Sequence, residues 1–292
     1  MTEVPKITQE MINLYDEYTH ITLDRRAFID KLTALVGSTA TATALLNVLQ
    51  CNYAKAAVVA ADDARLASER ITYDTPKGQA SGYLSRLKAK GKRPAIVVVH
   101  ENRGLNPHIQ DVVRRLGVEG FLALGLDLLS PYGGTPSNDE EAGKLFAAKV
   151  DRSDTSIPVA TVSFLKTHPE STGKVGAVGF CFGGGMVNLL AMNSPDLNAA
   201  VAYYGPIPAD KSKVKDIKAQ MMLHYGGADT NINKGIDDFK AALEKAGVKF
   251  EIYIYEGAQH AFNNDTSEAR YNKAAADLAW SRTVAFLKKT LA

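Results

Sequence analysis

Cys181 lies inside Gly179-Phe180-Cys181-Phe182-Gly183-Gly184, a Gly-x-nucleophile-x-Gly pattern with cysteine at its centre. A nucleophile on so tight a strand-to-helix turn takes a strained backbone conformation. Side chains two residues before or after it would collide with the neighbouring strand and helix. The amino end of a helix favours negative charge, so a thiol placed there ionises more readily. Such nucleophiles are served by an acid and then a histidine, each on a loop following a strand. Asp229 ends Gly226-Gly227-Ala228-Asp229 after an apolar run at 220–225, and His260 follows a second run at 250–255. Taken singly, the three have plainer readings: a buried cysteine in a glycine-rich turn, turn chemistry, a solvated histidine. Their joint order points to a Cys181–Asp229–His260 triad for covalent acyl transfer.

Other histidines serve less well. His108 and His168 read as helical, His224 as part of a strand, and His20 falls in an N-terminal segment of different character. His100 ends a central strand near the site and is expected to line the pocket.

A triad of this kind needs a sheet whose carboxyl edge gathers the three loops. Short apolar runs at 69–74, 80–87, 95–99, 121–126, 174–180, 199–204, 220–225 and 250–255 supply eight strands. The runs at 95–99 and 175–179 lack polar alternation, as strands buried on both faces do. The first two have no helix between them and are expected to pair as an antiparallel hairpin. Asn106-Pro107 reads as an N-cap and first turn of a helix ending near Gly117 or Gly120. Further helices are expected over 184–193, 235–246 and 267–289, the last with Leu278, Val284, Phe286 and Leu287 among its apolar positions. The expectation is an α/β fold: a mostly parallel eight-stranded sheet with helices on both faces.

The composition fits a soluble globular enzyme: 46% hydrophobic and 23% charged residues, with 34 basic against 32 acidic side chains. So small a net charge offers no basic stripe for a nucleic acid. The two cysteines, Cys51 and Cys181, are too few for a disulfide framework and wrongly spaced for a zinc site. No metal or cofactor is expected, and the partner is a small molecule.

Residues 1–60 read differently from 61–292. Arg25-Arg26 precedes a charge-free stretch from Leu32 to Asn52, and Ala54-Lys55-Ala56 offers small residues at the spacing a signal peptidase reads. The arrangement resembles a twin-arginine export signal. It implies a periplasmic or exported protein without stable membrane insertion after processing. Asp24 and Asp30 depart from the usual pattern around the arginine pair. The alternative is a helical extension that stays on a cytoplasmic protein and packs an apolar stripe against its neighbour.

Residues 69–292 resemble the dienelactone hydrolase family. The resemblance rests on the 173–184 segment, Tyr203-Tyr204-Gly205, the Asp229 turn and Tyr255-Glu-Gly-Ala-Gln-His-Ala-Phe262. It implies an α/β-hydrolase fold and cleavage of a small ester or lactone by the cysteine, as in carboxymethylenebutenolidase. It implies that Glu101, in His100-Glu101-Asn102-Arg103-Gly104, contacts the resting thiol and helps to form the thiolate. It also implies an oxyanion hole from the backbone N–H groups of Asn102 and Phe182, with Tyr204 at the substrate. The arginines that hold a substrate carboxylate in relatives are replaced here by Asn138-Asp139-Glu140-Glu141 and by Asn264. Arg103 offers a guanidinium from another wall. Rival readings on the same fold are a non-catalytic small-ligand binder and a redox-responsive thiol protein.

Overall fold

The computed structural model describes residues 7–19, 23–53 and 57–292. Its centre is an eight-stranded sheet built from β1 (Leu66–Thr75), β2 (Gly78–Leu87), β3 (Arg93–Val99), β4 (Leu122–Asp127), β5 (Ser171–Phe180), β6 (Ala199–Tyr203), β7 (Gln220–Gly226) and β8 (Phe250–Tyr255). The spatial order is β1-β2-β4-β3-β5-β6-β7-β8. β1 and β2 form the expected antiparallel hairpin, turning at Gly78 with φ 95°. β2 also meets β4 antiparallel, and every later pairing is parallel. β3 and β5 are the strands without polar alternation, and their apolar side chains from Ala95 to Val99 and Val175 to Val178 are wholly buried. Helices on both faces enforce that burial.

One apolar cluster joins the sheet to α5 (Asp139–Lys149), α6 (Ser156–Thr167), α7 (Phe182–Asn193) and α9 (Ile236–Lys245) through Phe146, Val162, Leu190 and Phe239. The other face packs α4 (Pro107–Val118) and α10 (Lys273–Thr290) through Ile109, Val113, Ala279 and Phe286. α4 begins as the sequence predicts: the Asn106 side chain accepts from Ile109 N, with Pro107 in the first turn.

The last helix departs from expectation. Residues 264–271 are folded into turns, in which Asn264 Oδ1 accepts from the Thr266 amide and hydroxyl and Arg270 N donates to Ser267 O. α10 therefore starts six residues later than predicted, capped by Asn272 on Ala275 N. Leu278, expected on its apolar face, is 47% exposed.

Ahead of the sheet lie α1 (Gln9–Thr19), α2 (Arg25–Val36) and α3 (Thr39–Leu49). Asp24 caps α2 on Ala27 N and Ser38 caps α3 on Thr41 N. Phe28, Leu32, Leu45 and Leu49 are fully buried in a third cluster that the three helices share. His20 and Ala54-Lys55-Ala56 lie outside the described residues. No described helix is long and apolar enough to cross a membrane.

Candidate active site

Cys181 sits between the last residue of β5 and the first of α7, with φ 52° and ψ −119°. A non-glycine residue rarely holds such a conformation, and its surroundings enforce it here. A Cβ on Gly179 would stand 2.0 Å from Gly183 O, and one on Gly183 would stand 2.2 Å from Val99 O. Both obstacles are backbone, so the sharp turn exists because these two positions carry no side chain. The Cys181 amide donates to Tyr203 O at 3.0 Å, which ties the turn to β6.

Asp229 follows β7 and His260 follows β8, as expected, so all three residues meet at the carboxyl edge of the sheet. His260 Nδ1 lies 2.6 Å from Asp229 Oδ2, and both side chains are buried. Cys181 lies close enough to act on the charge of the same imidazole. Burial works against a charge on the imidazole. The influence of Cys181, the hydrogen bond to Asp229 and the Asp229 carboxylate outweigh it and hold His260 well above its ordinary value.

Glu101 lines the same small chamber as Cys181 and His260. Its Oε2 accepts from Asn264 Nδ2 at 3.1 Å, whereas its buried Oε1 has no hydrogen-bond partner among the described residues. Asn264 thus holds one oxygen of Glu101. Its spacing four residues after His260 was the signal in the sequence, but the contact to Glu101 was not legible there. Asn102 lines the chamber too and donates through its side chain to Thr19 O. Phe182 opens α7, so its backbone N–H is one of the four that a helix leaves without an internal acceptor.

Arg103 lines the chamber, its guanidinium lying against Gly143 of α5 and donating to Asn102 O at 3.3 Å. The two remaining pocket residues need correction. His100 is fully buried, with Nδ1 against Glu101 O at 2.5 Å and Nε2 accepting from Leu128 N at 3.2 Å. Both ring nitrogens are used to brace the loops after β3 and β4, so His100 is a support for Glu101 and not a pocket wall. Tyr204, at φ 39°, is buried behind the triad with its ring centroid 5.1 Å from that of His260. It backs the imidazole, and it is not among the chamber's lining residues.

Asp139, from the 138–141 segment noted in the sequence, also lines the chamber, with Tyr15, Cys51, Tyr53 and Arg270, to which the sequence did not point. Tyr53 Oη donates to Asp139 Oδ2 at 2.7 Å. Burial raises the Asp139 carboxyl, against the lowering effect of Tyr53 and Arg103. Arg270 is paired to Asp16 at 2.7 Å. Among the described residues, no group of three or more His, Cys, Asp and Glu side chains is placed to hold a metal ion.

A mostly parallel eight-stranded sheet with a nucleophile elbow after β5, an acid after β7 and a histidine after β8 defines an α/β-hydrolase. The chain belongs, within that class, to the dienelactone hydrolase family, whose profile matches residues 80–291. It is 32% identical over 222 residues to an Escherichia coli (strain K12) protein provisionally named carboxymethylenebutenolidase, covering 71% of this chain and 81% of the relative. A provisionally assigned dienelactone hydrolase from Klebsiella pneumoniae is structurally similar with a TM-score of 0.69 at 27% identity, over 77% of this chain and 99% of that one. A mutant of the esterase rPPE, in complex with (S)-Ac-CPA, shares the fold at 16% identity with a TM-score of 0.67. That likeness spans 99% of this chain and 98% of the esterase.

Proposed function

We propose that the protein hydrolyses a small ester or lactone through an acyl-enzyme on Cys181. The reading is carried by the buried Asp229–His260 contact aligned on a cysteine in an elbow. Cys181 Sγ attacks the acyl carbon, and the resulting oxyanion is stabilised by the backbone N–H groups of Asn102 and Phe182. Donors of this kind contribute about 3 kcal/mol each. Collapse breaks the carbon–oxygen bond, and His260 gives its proton to the departing alkoxide. Water then attacks the thioester, His260 accepts its proton, and the thiolate leaves as the acid is released. Asp229 holds the imidazole in the tautomer this requires. Glu101, with one carboxylate oxygen unpartnered in the chamber, is the acceptor for the resting thiol proton until substrate displaces it.

A panel of p-nitrophenyl esters and small lactones, run on wild type and Cys181→Ala, tests this reading. Hydrolysis should depend on Cys181, and Cys181→Ser should fold normally yet lose most activity, because serine relies wholly on His260 for activation. Equal rates for wild type and Cys181→Ala would sink the enzyme reading in favour of a binding or thiol-redox role.

For the N-terminal segment, the burial of Phe28 and Leu32 just after Arg25-Arg26 supports a retained helical extension. We adopt that reading over a signal cut near Ala56.

A further inference from the structure

The reaction chamber has a volume of about 40 Å³. Cys181 and His260 are only 6% and 4% exposed there, so a bulky ester reaches Cys181 only when a wall moves. Most of its walls are loops of the sheet, fixed by the two large apolar cores. Tyr15, Thr19, Cys51 and Tyr53 are different, because they come from the N-terminal helices and the residues just after them.

Those helices share an apolar core of their own. The buried residues of their apolar cluster all lie between Met11 and Leu49, and Ala269 is the one described hydrophobic residue of the sheet domain packed against it. The seam with the rest of the molecule is polar. Asp16 Oδ1 accepts from Arg270 Nη1 at 2.7 Å, and Arg270 also lies over the Tyr15 ring, 5.1 Å from its centroid. Asn102 donates to Thr19 O, Asn52 N donates to Thr266 O at 2.8 Å, and Asn106 Nδ2 donates to Tyr53 Oη at 3.1 Å. An apolar core inside the unit and hydrogen bonds at its edge concentrate the opening cost at the seam. A wider cleft of about 720 Å³ lies outside, between α1, α2 and the Asp229 turn, and it too reaches His260.

We infer that α1–α3 form a cap over Cys181, latched by Asp16–Arg270, and that this cap sets which acyl groups are admitted. Compact acyl groups pass with small openings, and bulky ones require the latch to release. Tyr15 and Tyr53 are then specificity-determining, and removal of residues 1–56 would strip the chamber of one wall. The inference rests on the hydrolase reading for what is admitted, but closure itself can be read without turnover.

The test is alkylation of Cys181 by iodoacetamide and by fluorescein maleimide, with Cys181 and Cys51 peptides resolved by mass spectrometry. In Asp16→Asn the rate ratio of bulky to small reagent at Cys181 should rise at least tenfold, and Asp16→Glu should restore the wild-type ratio. The kcat/KM for p-nitrophenyl benzoate should rise relative to that for the acetate by a similar factor. An unchanged alkylation ratio in a folded Asp16→Asn protein overturns the cap. Hydrogen exchange on wild type gives an arm free of any variant: amides of α1–α3 should exchange together and ahead of those of β3 and β5. Exchange at the rate of the central strands overturns the cap as well. Absence of ester turnover with the alkylation ratio still raised would defeat the hydrolase reading and leave the cap standing.

Discussion

Replacing Asp229 with asparagine separates the charge of the acid from its shape. Asparagine keeps an oxygen to accept from Ile232 N, the 3.3 Å contact by which Asp229 caps the short α8 (Thr230–Asn233), so the turn should survive. The loss is the carboxylate charge in a buried 2.6 Å contact with His260 Nδ1. A hydrogen bond to a charged group contributes about 1.5–3 kcal/mol, and roughly 1.36 kcal/mol corresponds to one pKa unit. His260 should therefore titrate about one to two units lower in the variant. The sign follows from its raised folded value. The imidazolium, and the stability it confers, are present in full below the unfolded value of about 6.5 and are lost as pH rises through the folded one. On the proposed mechanism the active form is thiolate with imidazolium, so the alkaline limb of kcat/KM reports loss of that proton from the Cys181–His260 pair. The assay is hydrolysis of p-nitrophenyl acetate across that limb, with urea unfolding of each variant at matched pH. In Asp229→Asn the limb should move down by about one to two units, with kcat near neutral pH lower by about 10- to 100-fold or more. A folded variant whose alkaline limb stays in place would refute control of His260 by Asp229.

Glu101→Gln should lower turnover and change how iodoacetamide alkylation of Cys181 depends on pH; wild-type turnover with an unaltered profile would remove Glu101 from the mechanism. Gly183→Ala should cost about 1–3 kcal/mol in urea unfolding, because the new Cβ meets Val99 O at 2.2 Å and His100 O at 2.6 Å, and an unperturbed midpoint would contradict the elbow geometry. Protein isolated from its natural host should still carry the α1–α3 residues when mapped by peptide mass spectrometry, and Arg25-Arg26→Lys-Lys should leave its location unchanged. A product beginning near Val58 would instead support export and cleavage.

The eight strands and the meeting of Cys181, Asp229 and His260 at one sheet edge were legible because local rules constrain them. Buried parallel strands need uninterrupted apolar runs, and the elbow needs glycine at 179 and 183 because backbone occupies the space of any side chain. The chamber's outer wall was not legible. Asp16 and Arg270 are 254 positions apart, and nothing local to either marks the other. Arg270 was further hidden by the prediction of helix from 267, since only the Asn264 turns aim it at Asp16. The charge-free stretch from Leu32 to Asn52 was ambiguous for a physical reason. A signal's apolar run and a helix face packed on its neighbours use the same residues, and hydrophobicity alone does not say which solvent they leave water for. His100 fails similarly, because a histidine ending a central strand can face the pocket or the loops behind it.

The chamber's charges bear on what it accepts. Glu101 and Asp139 face Arg103 and Arg270 across a space of about 40 Å³, but the two guanidinium groups are not equivalent. Arg270 is bound to Asp16, whereas Arg103 has no carboxylate within salt-bridge distance among the described residues. A substrate carboxylate would meet two protein carboxylates and one uncommitted cation. Like charges about 4 Å apart repel by roughly 4 kcal/mol at an effective dielectric of about 20, which a single guanidinium offsets once. An uncharged ester meets no such repulsion and leaves the Tyr53–Asp139 hydrogen bond undisturbed. The balance favours neutral esters and lactones, and any preference for a carboxylate-bearing substrate would depend on Arg103.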